Sequence, residues 1–161
     1  MTSIRKQALD ILVASGKPLS AAALFERLGT QCDQATVYRT LHYFEAQGYT
    51  ESFVLHCDEH GTERYYTAAK DATGLPLPHR HWFHCEGCHQ FTQITTCGIA
   101  NVVETFESQS GARVTNHILY LMGLCRECQK KERTGTLSNR GALKSPNVPD
   151  LEQQVHKGPV F

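Results

Sequence analysis

Four of the seven cysteines in this chain stand in two Cys-x-x-Cys pairs, Cys85–Cys88 and Cys125–Cys128. Thiolates bind Zn²⁺ tetrahedrally, and a two-residue spacer lets both sulfurs of a pair turn onto one ion. The 36 residues between the pairs exceed the gap of a simple zinc ribbon. One ion held by all four thiolates would therefore clip together two elements of a larger domain. The competing reading is two disulfides or four unrelated buried thiols.

Length and composition narrow the classes. At 161 residues the chain suits one domain or two small ones. No apolar run approaches the roughly 18 residues of a transmembrane span. The N-terminus, MTSIRKQALDILVASG, does not read as a signal peptide, because its apolar stretch is short and interrupted by Asp10. A cytoplasmic location is expected, where paired cysteines are more often metal ligands than disulfides. Sixteen basic residues balance sixteen acidic ones. That balance disfavours loose, non-specific nucleic-acid binding and leaves room for a small local patch.

The elements that must position the cysteines follow from periodicity. Ile4, Ala8, Ile11 and Leu12 share one helical face, and Gly16-Lys17-Pro18 ends that helix. Ser20 is an N-cap for Ala21 to Leu28, with Gly29 as the stop. Asp33 caps a third helix over 34–47, with Val37, Leu41 and Phe44 inward and Gly48 at its end. Tyr49 to His56 and Thr62 to Thr67 read as the arms of a β-hairpin. Three helices followed by a hairpin is the order of a winged helix-turn-helix. Residues 68–78, AAKDATGLPLP, read as a hinge. A second, α/β unit follows. It has a strand through Trp82 and Phe83, a strand over Phe91 to Thr95, a helix over Gly98 to Ser108 and a β-rich stretch over Arg113 to Leu121. Residues 130–161 lack apolar periodicity and read as a mostly disordered tail of basic bias.

On the third helix, Tyr38, Arg39, His42 and Ala46 lie opposite the apolar face. A recognition helix projects such a mixture into the major groove. Arginine forks onto guanine or phosphate, and tyrosine meets phosphate or thymine methyls. Solvated helix faces also carry such residues, so this pattern alone does not decide.

The run Asp33-Gln-Ala-Thr-Val-Tyr-Arg-Thr-Leu41, with Phe44 and Gly48, resembles the recognition helix of the ferric uptake regulator family. His79-Arg80-His81, shortly before Cys85, resembles that family's histidine-rich strand. Thr115-Asn116-His117 through Tyr120 and Gly123 to Cys125 and Cys128 resembles its last strand and zinc knuckle. The resemblance covers residues 4–128 in consistent order. It implies a homodimeric, metal-sensing transcription repressor that binds A·T-rich palindromic operators in double-stranded DNA. The implied fold is α+β. A winged helix-turn-helix spans 1–67, a hinge 68–78, and a small α/β dimerisation domain stapled by structural zinc 79–129. By position, Tyr38 and Arg39 match the DNA-contacting pair, with Thr36 and His42 beside them. Cys85, Cys88, Cys125 and Cys128 match the structural zinc ligands.

The two histidines His79 and His81 alternate along a strand and leave on one face. Two imidazoles at that spacing can share Zn²⁺ or Fe²⁺. The resemblance adds His117 and makes the three a sensory site. The carboxylate that normally joins them has Ala100 in its place, so Glu104, one turn on, or a water is expected to substitute. Cys97 at the helix start is a softer candidate that would favour zinc. The family's other sensory site, at the hinge, looks damaged: its positions hold Pro18, Tyr66, Arg80 and Trp82. His56, Cys57, Asp58 and His60 on the hairpin are a conceivable substitute. The chain also starts almost directly at Arg5, where the family usually has a further helix and a basic minor-groove residue. Weaker affinity for A·T-rich DNA is expected from that.

Three rival readings fit parts of the pattern. Cys57-Asp58-Glu59 with Cys85–Cys88 imitates a zinc-deaminase spacing, but His84 stands where a proline is needed and the second cysteine pair has no role. A zinc-stapled dimeric interaction module with degenerate DNA binding is a second. A peroxide sensor of the same family is a third, disfavoured by the missing carboxylate. The expectation is a repressor of metal homeostasis, not an enzyme, with zinc slightly favoured over iron.

Overall fold

Capping side chains set the helices of the N-terminal unit. In the computed structural model, residues 1–57, 59 and 61–135 are described. Helix α1 (Ser3–Ser15) ends where Gly16 turns into the left-handed region at φ 58°, the conformation glycine adopts most cheaply. Strand β1 (Leu19–Ser20) follows, and Ser20 Oγ accepts the Ala23 N–H at 3.2 Å to start α2 (Ala21–Leu28). A 3₁₀ turn, Gly29–Gln31, leads to Asp33, whose carboxylate accepts the Thr36 N–H at 2.7 Å and opens α3 (Gln34–Ala46). Each cap satisfies an N–H that the first helical turn leaves without an intrahelical partner.

Strands β2 (Thr50–Cys57) and β3 (Gly61–Ala68) form the hairpin in register from Thr50↔Ala68 to Cys57↔Gly61. The short β1, which periodicity did not suggest, pairs with β3 at Leu19↔Tyr66, giving the sheet order β1-β3-β2. Helices and sheet enclose Leu9, Leu12, Leu24, Leu28, Val37, Leu41, Phe44 and Tyr66. In α1 the buried set is Ala8, Leu9 and Leu12. The helix is thus turned so that Leu9 is fully buried, while Ile11 only packs against the edge of the core.

The expected hinge is a closed turn. The Asp71 carboxylate accepts from the Thr73 N–H, the Thr73 hydroxyl and the Leu75 N–H, and the Leu77 N–H returns to the Ala69 carbonyl.

Beyond it, β4 (His81–Cys85), β5 (Phe91–Ile94) and β6 (Tyr120–Gly123) make a sheet of order β5-β4-β6. Strand β6 runs parallel to β4 from Trp82↔Tyr120 to Cys85↔Gly123. Helix α4 (Ala100–Ser110) connects β5 to β6. The β-rich stretch expected from Arg113 becomes a strand only at Tyr120. Strand β4 begins at His81, one residue before the pair that opens the β4–β6 ladder, and among the described residues the segment upstream of Tyr120 pairs with no strand. A helix not anticipated, α5 (Arg126–Arg133), starts inside the second Cys-x-x-Cys pair and takes the first residues assigned to the tail. The expected disorder of 136–161 lies outside the described residues.

The two units share a second apolar cluster. Phe53, Leu55 and Cys57 from the inward positions of β2 meet Trp82 and Phe91. The Phe53 ring stacks 5.5 Å from Tyr120, and Tyr65 meets Phe91 edge-on at 4.9 Å. No helix among the described residues is long and apolar enough to cross a membrane.

Candidate metal centres and nucleic-acid interface

Strand β4 ends at Cys85, and a turn carries the chain to Cys88. Parallel pairing places Gly123, at the end of β6, beside Cys85, so the loop to Cys125 emerges against the first knuckle. The four Sγ atoms lie within 4.8 Å of one another, with Cys88 and Cys125 at 3.9 Å. A tetrahedral site with Zn–S bonds near 2.3 Å requires sulfurs about 3.8 Å apart. A Cβ on Gly87 would come within 3.0 Å of both Cβ and Sγ of Cys128. A side chain there would press on Cys128 and on Leu124, 3.1 Å away, so the second pair packs against a bare glycine backbone. Burial pushes the Cys85 thiol up, but the N–H groups of Cys125, Cys88 and Gly87 and the Cys88 thiol outweigh it and bring it down to about 6, whereas burial and the neighbouring thiols push Cys128 up to about 12. Stabilised thiolate is the form that binds metal. These residues fit a structural zinc ion.

Three imidazoles meet at the opposite end of β4, although His117 is 38 residues from His79 and 36 from His81 in sequence. His79 and His81 precede and open that strand, and His117 lies on the irregular segment before β6. Their Nε2 atoms are 3.1 Å (His79–His81), 2.9 Å (His79–His117) and 3.2 Å (His81–His117) apart. Three nitrogens bound to one tetrahedral zinc would be separated by about 3.4 Å at Zn–N distances near 2.1 Å. Burial, followed by the neighbouring His79 and His117, holds His81 below the usual histidine range. The neutral ring is the ligating form. The Leu119 backbone hydrogen-bonds the His81 ring, the kind of outer contact that fixes an imidazole's orientation at a metal.

Glu104 does not join this group. It lies four residues beyond Ala100, about 6 Å further along the helix at 1.5 Å per residue, and is exposed. Cys97, in the loop before α4, stands there instead: its Sγ is 3.3 Å from His81 Nε2 and 3.6 Å from His117 Nε2. The hinge positions bring no metal group together. Tyr66 is buried in the first core and Trp82 in the second cluster. Nor do His56 and Cys57 share a face, since consecutive strand residues point oppositely. His56 Nδ1 meets Thr62 Oγ1 at 2.9 Å, whereas Cys57 Sγ lies 3.6 Å from His89 Nδ1. Asp58 and His60 lie outside the described residues. Among the described residues, the cysteine and histidine groups are the two that could hold a metal.

On α3 the packing of Val37, Thr40, Leu41 and Phe44 turns the opposite face outward. Tyr38 is 59% exposed, and Arg39 and His42 are exposed beside it. Thr36 is half-buried, and its Oγ1 accepts from the Arg39 guanidinium at 3.1 Å. The same guanidinium nitrogen lies 3.9 Å from the Asp33 carboxylate, and both side chains are exposed. On the same helix Glu45 bonds the Ser52 hydroxyl and, at 3.3 Å, Arg64, joining α3 to both hairpin strands. Glu45, Thr50 and Ser52 line a cleft of about 270 Å³ together with His79, His81 and His117.

A family model described as the ferric uptake regulator family matches residues 1–122. The chain belongs to the ferric uptake regulator family. A ferric uptake regulation protein of Staphylococcus epidermidis is 33% identical over 136 residues, covering 81% of this chain and 86% of that protein. The ferric uptake regulator of Francisella tularensis, solved with iron, superposes with a TM-score of 0.58 at 25% identity, covering 80% of this chain and 93% of that one. A zinc uptake regulator complexed with zinc and DNA shares the fold, with a TM-score of 0.54 at 22% identity over 82% of this chain and 85% of that one. The family model ends at residue 122, while the match to the Staphylococcus relative covers 81% of this chain and so runs on past the Cys125–Cys128 pair. Gly87 was missed in the sequence, although a glycine inside a Cys-x-x-Cys turn is the available signal.

Proposed function

We propose that this member of the ferric uptake regulator family is a homodimeric, metal-responsive repressor that binds double-stranded DNA through α3. One zinc holds the four cysteines, and a second, exchangeable ion at His79, His81 and His117 tunes DNA binding. The observation that carries the reading is the shared cleft: the three histidines line it together with Glu45 of α3 and Thr50 and Ser52 at the base of the hairpin. An ion there acts on DNA binding to the extent that its affinity differs between two placements of the units.

Dimer formation is supported by α4, which buries no residue within its own chain, and by Val102, Phe106, Ile118 and Leu121, each more than half exposed. Zinc is favoured over iron because the candidate site is rich in nitrogen and lacks a carboxylate. The iron of the Francisella regulator and the zinc of the zinc uptake regulator show that neighbours of this fold were solved with either metal. A regulator of genes rather than an enzyme, acting in the cytoplasm on an A·T-rich palindromic operator, completes the proposal.

The test is fluorescence-anisotropy binding to an A·T-rich palindrome at fixed salt. Mild chelation leaves the cysteine zinc in place, and zinc or ferrous iron is then added back. Binding restored by zinc supports the reading. Equal affinity without added metal removes the switch, and no binding under any condition favours a zinc-stapled interaction module.

A further inference from the structure

We propose that Cys97 is the fourth ligand of the histidine site and completes a His₃Cys donor set suited to Zn²⁺ rather than Fe²⁺. The inference rests on reading His79, His81 and His117 as a metal site, and adds what closes it. Three nitrogens leave a tetrahedral ion one open position, which in a closed site is filled by a protein donor.

Two distances point to the Cys97 thiol. Its Sγ lies 3.3 Å from His81 Nε2 and 3.6 Å from His117 Nε2. Nitrogen and sulfur bound to one tetrahedral zinc would be about 3.6 Å apart, given Zn–N near 2.1 Å and Zn–S near 2.3 Å. The sulfur sits over the edge of the imidazole triangle formed by His81 and His117, outside the group whose ligand atoms all lie within 4.8 Å of one another. Ligation therefore requires it to swing toward His79. The loop allows this: Cys97 precedes α4, its side chain is exposed, and its carbonyl makes only a 3.4 Å contact with the Ala100 N–H.

A thiolate changes what the site selects. Sulfur is a soft donor that favours zinc, whereas the harder oxygen donors suit ions such as Mg²⁺ and Mn²⁺. Ala100 and the displaced Glu104 supply no carboxylate. The chain thus carries a sulfur where an oxygen would have to come from water. Binding the ion also ties the loop before α4 to β4 and to the segment before β6. The site would then reach the helix whose apolar residues are exposed.

Cobalt(II) substitution tests the assignment. Full-length protein with one zinc per chain is titrated with Co²⁺, and zinc retention is checked by mass spectrometry so that the four-cysteine site is not the one being read. The expected spectrum combines tetrahedral d–d bands with a near-ultraviolet thiolate-to-cobalt charge-transfer band. Cys97→Ser should lose the charge-transfer band and keep d–d absorption, and His117→Ala should weaken or abolish both. Added zinc should also protect Cys97 from iodoacetamide, read on its own peptide. A charge-transfer band that survives in Cys97→Ser overturns the proposal. Cobalt bound to wild type without that band also overturns it, while the histidine site stands. No second cobalt in wild type overturns both.

Discussion

The two units of this chain solve stability differently. The N-terminal unit closes a core within its own residues: Leu9, Leu24 and Phe44 are completely buried, and side-chain caps start α2 and α3. The second unit has a three-stranded sheet, a helix that buries nothing and an aromatic cluster half supplied by the wing. Below a certain core size, apolar burial does not offset chain entropy, and small units are completed by a metal or a partner. The first unit therefore carries the exposed face of α3 on a scaffold of its own. The second leaves α4 unburied and gathers the cysteine and histidine groups that could hold metal.

The largest test of that contrast removes the cysteine zinc. Cys128→Ser leaves three thiolates, and structural zinc sites carry on the order of 10 kcal/mol of folding free energy. The second unit should unfold while α1–α3 persist. Trp82, the single tryptophan, is 3% exposed and belongs to the second unit, so its emission should shift red with most far-ultraviolet helix signal retained. Loss of helix signal in parallel with the tryptophan shift would mean that the units fold as one.

Next in size is the mirror experiment in the first unit. Leu24 is fully buried between α2 and its neighbours, and Leu→Ala in such a site costs about 2–5 kcal/mol. Leu24→Ala should lower the denaturant midpoint of the helical signal and leave zinc content at one per chain under native conditions. A variant that loses its zinc as well would show that the first core supports the second.

A smaller effect on the chain, but a decisive one for assembly, is expected at α4. Phe106 is 53% exposed, and a surface substitution typically changes stability by less than about 0.5 kcal/mol. Phe106→Glu should convert a dimer to a monomer in sedimentation while Trp82 emission stays unchanged. A dimer that persists would place the contact elsewhere.

How much of this was legible in the sequence divides along the same line. The caps at Ser20 and Asp33, the hairpin and the turned-out Tyr38 and Arg39 could be read because each depends on neighbours a few residues away. The metal clusters were legible as residue types, since Cys85–Cys88 and Cys125–Cys128 announce themselves by spacing. Their closure was not. That Gly87 must lack a Cβ for Cys128 to approach, and that Cys97 rather than Glu104 comes beside His81, are facts of long-range packing. The helical period allowed Glu104 a turn from Ala100, but nothing local said where the preceding loop would lie. The burial of Phe53 and Leu55 against Trp82 was hidden for the same reason.

The smallest effect separates the units within a single strand. Tyr65 and Tyr66 are neighbours on β3 and point to opposite faces, Tyr66 into the first core and Tyr65 onto the shared aromatic cluster. Burial, then the hydrogen bond and charge of Glu63, raise Tyr65 to about 12, while burial and the charge of Glu45 raise Tyr66. An unfolded tyrosine ionises near 10. Below about pH 10 both states keep the proton, so neither tyrosine makes stability depend on pH. As pH rises toward 12 the unfolded chain releases its protons first, so stability falls. Replacing either tyrosine by phenylalanine removes the ionisable group, and the alkaline loss of denaturation free energy should become shallower. The Tyr66→Phe effect should survive in Cys128→Ser, because its surroundings are the first core. The Tyr65→Phe effect should vanish there, because half its surroundings belong to the unit that zinc holds. Equal persistence of both effects would mean that the wing keeps Tyr65 buried without the second unit, and that the two cores are more separate than their contacts indicate.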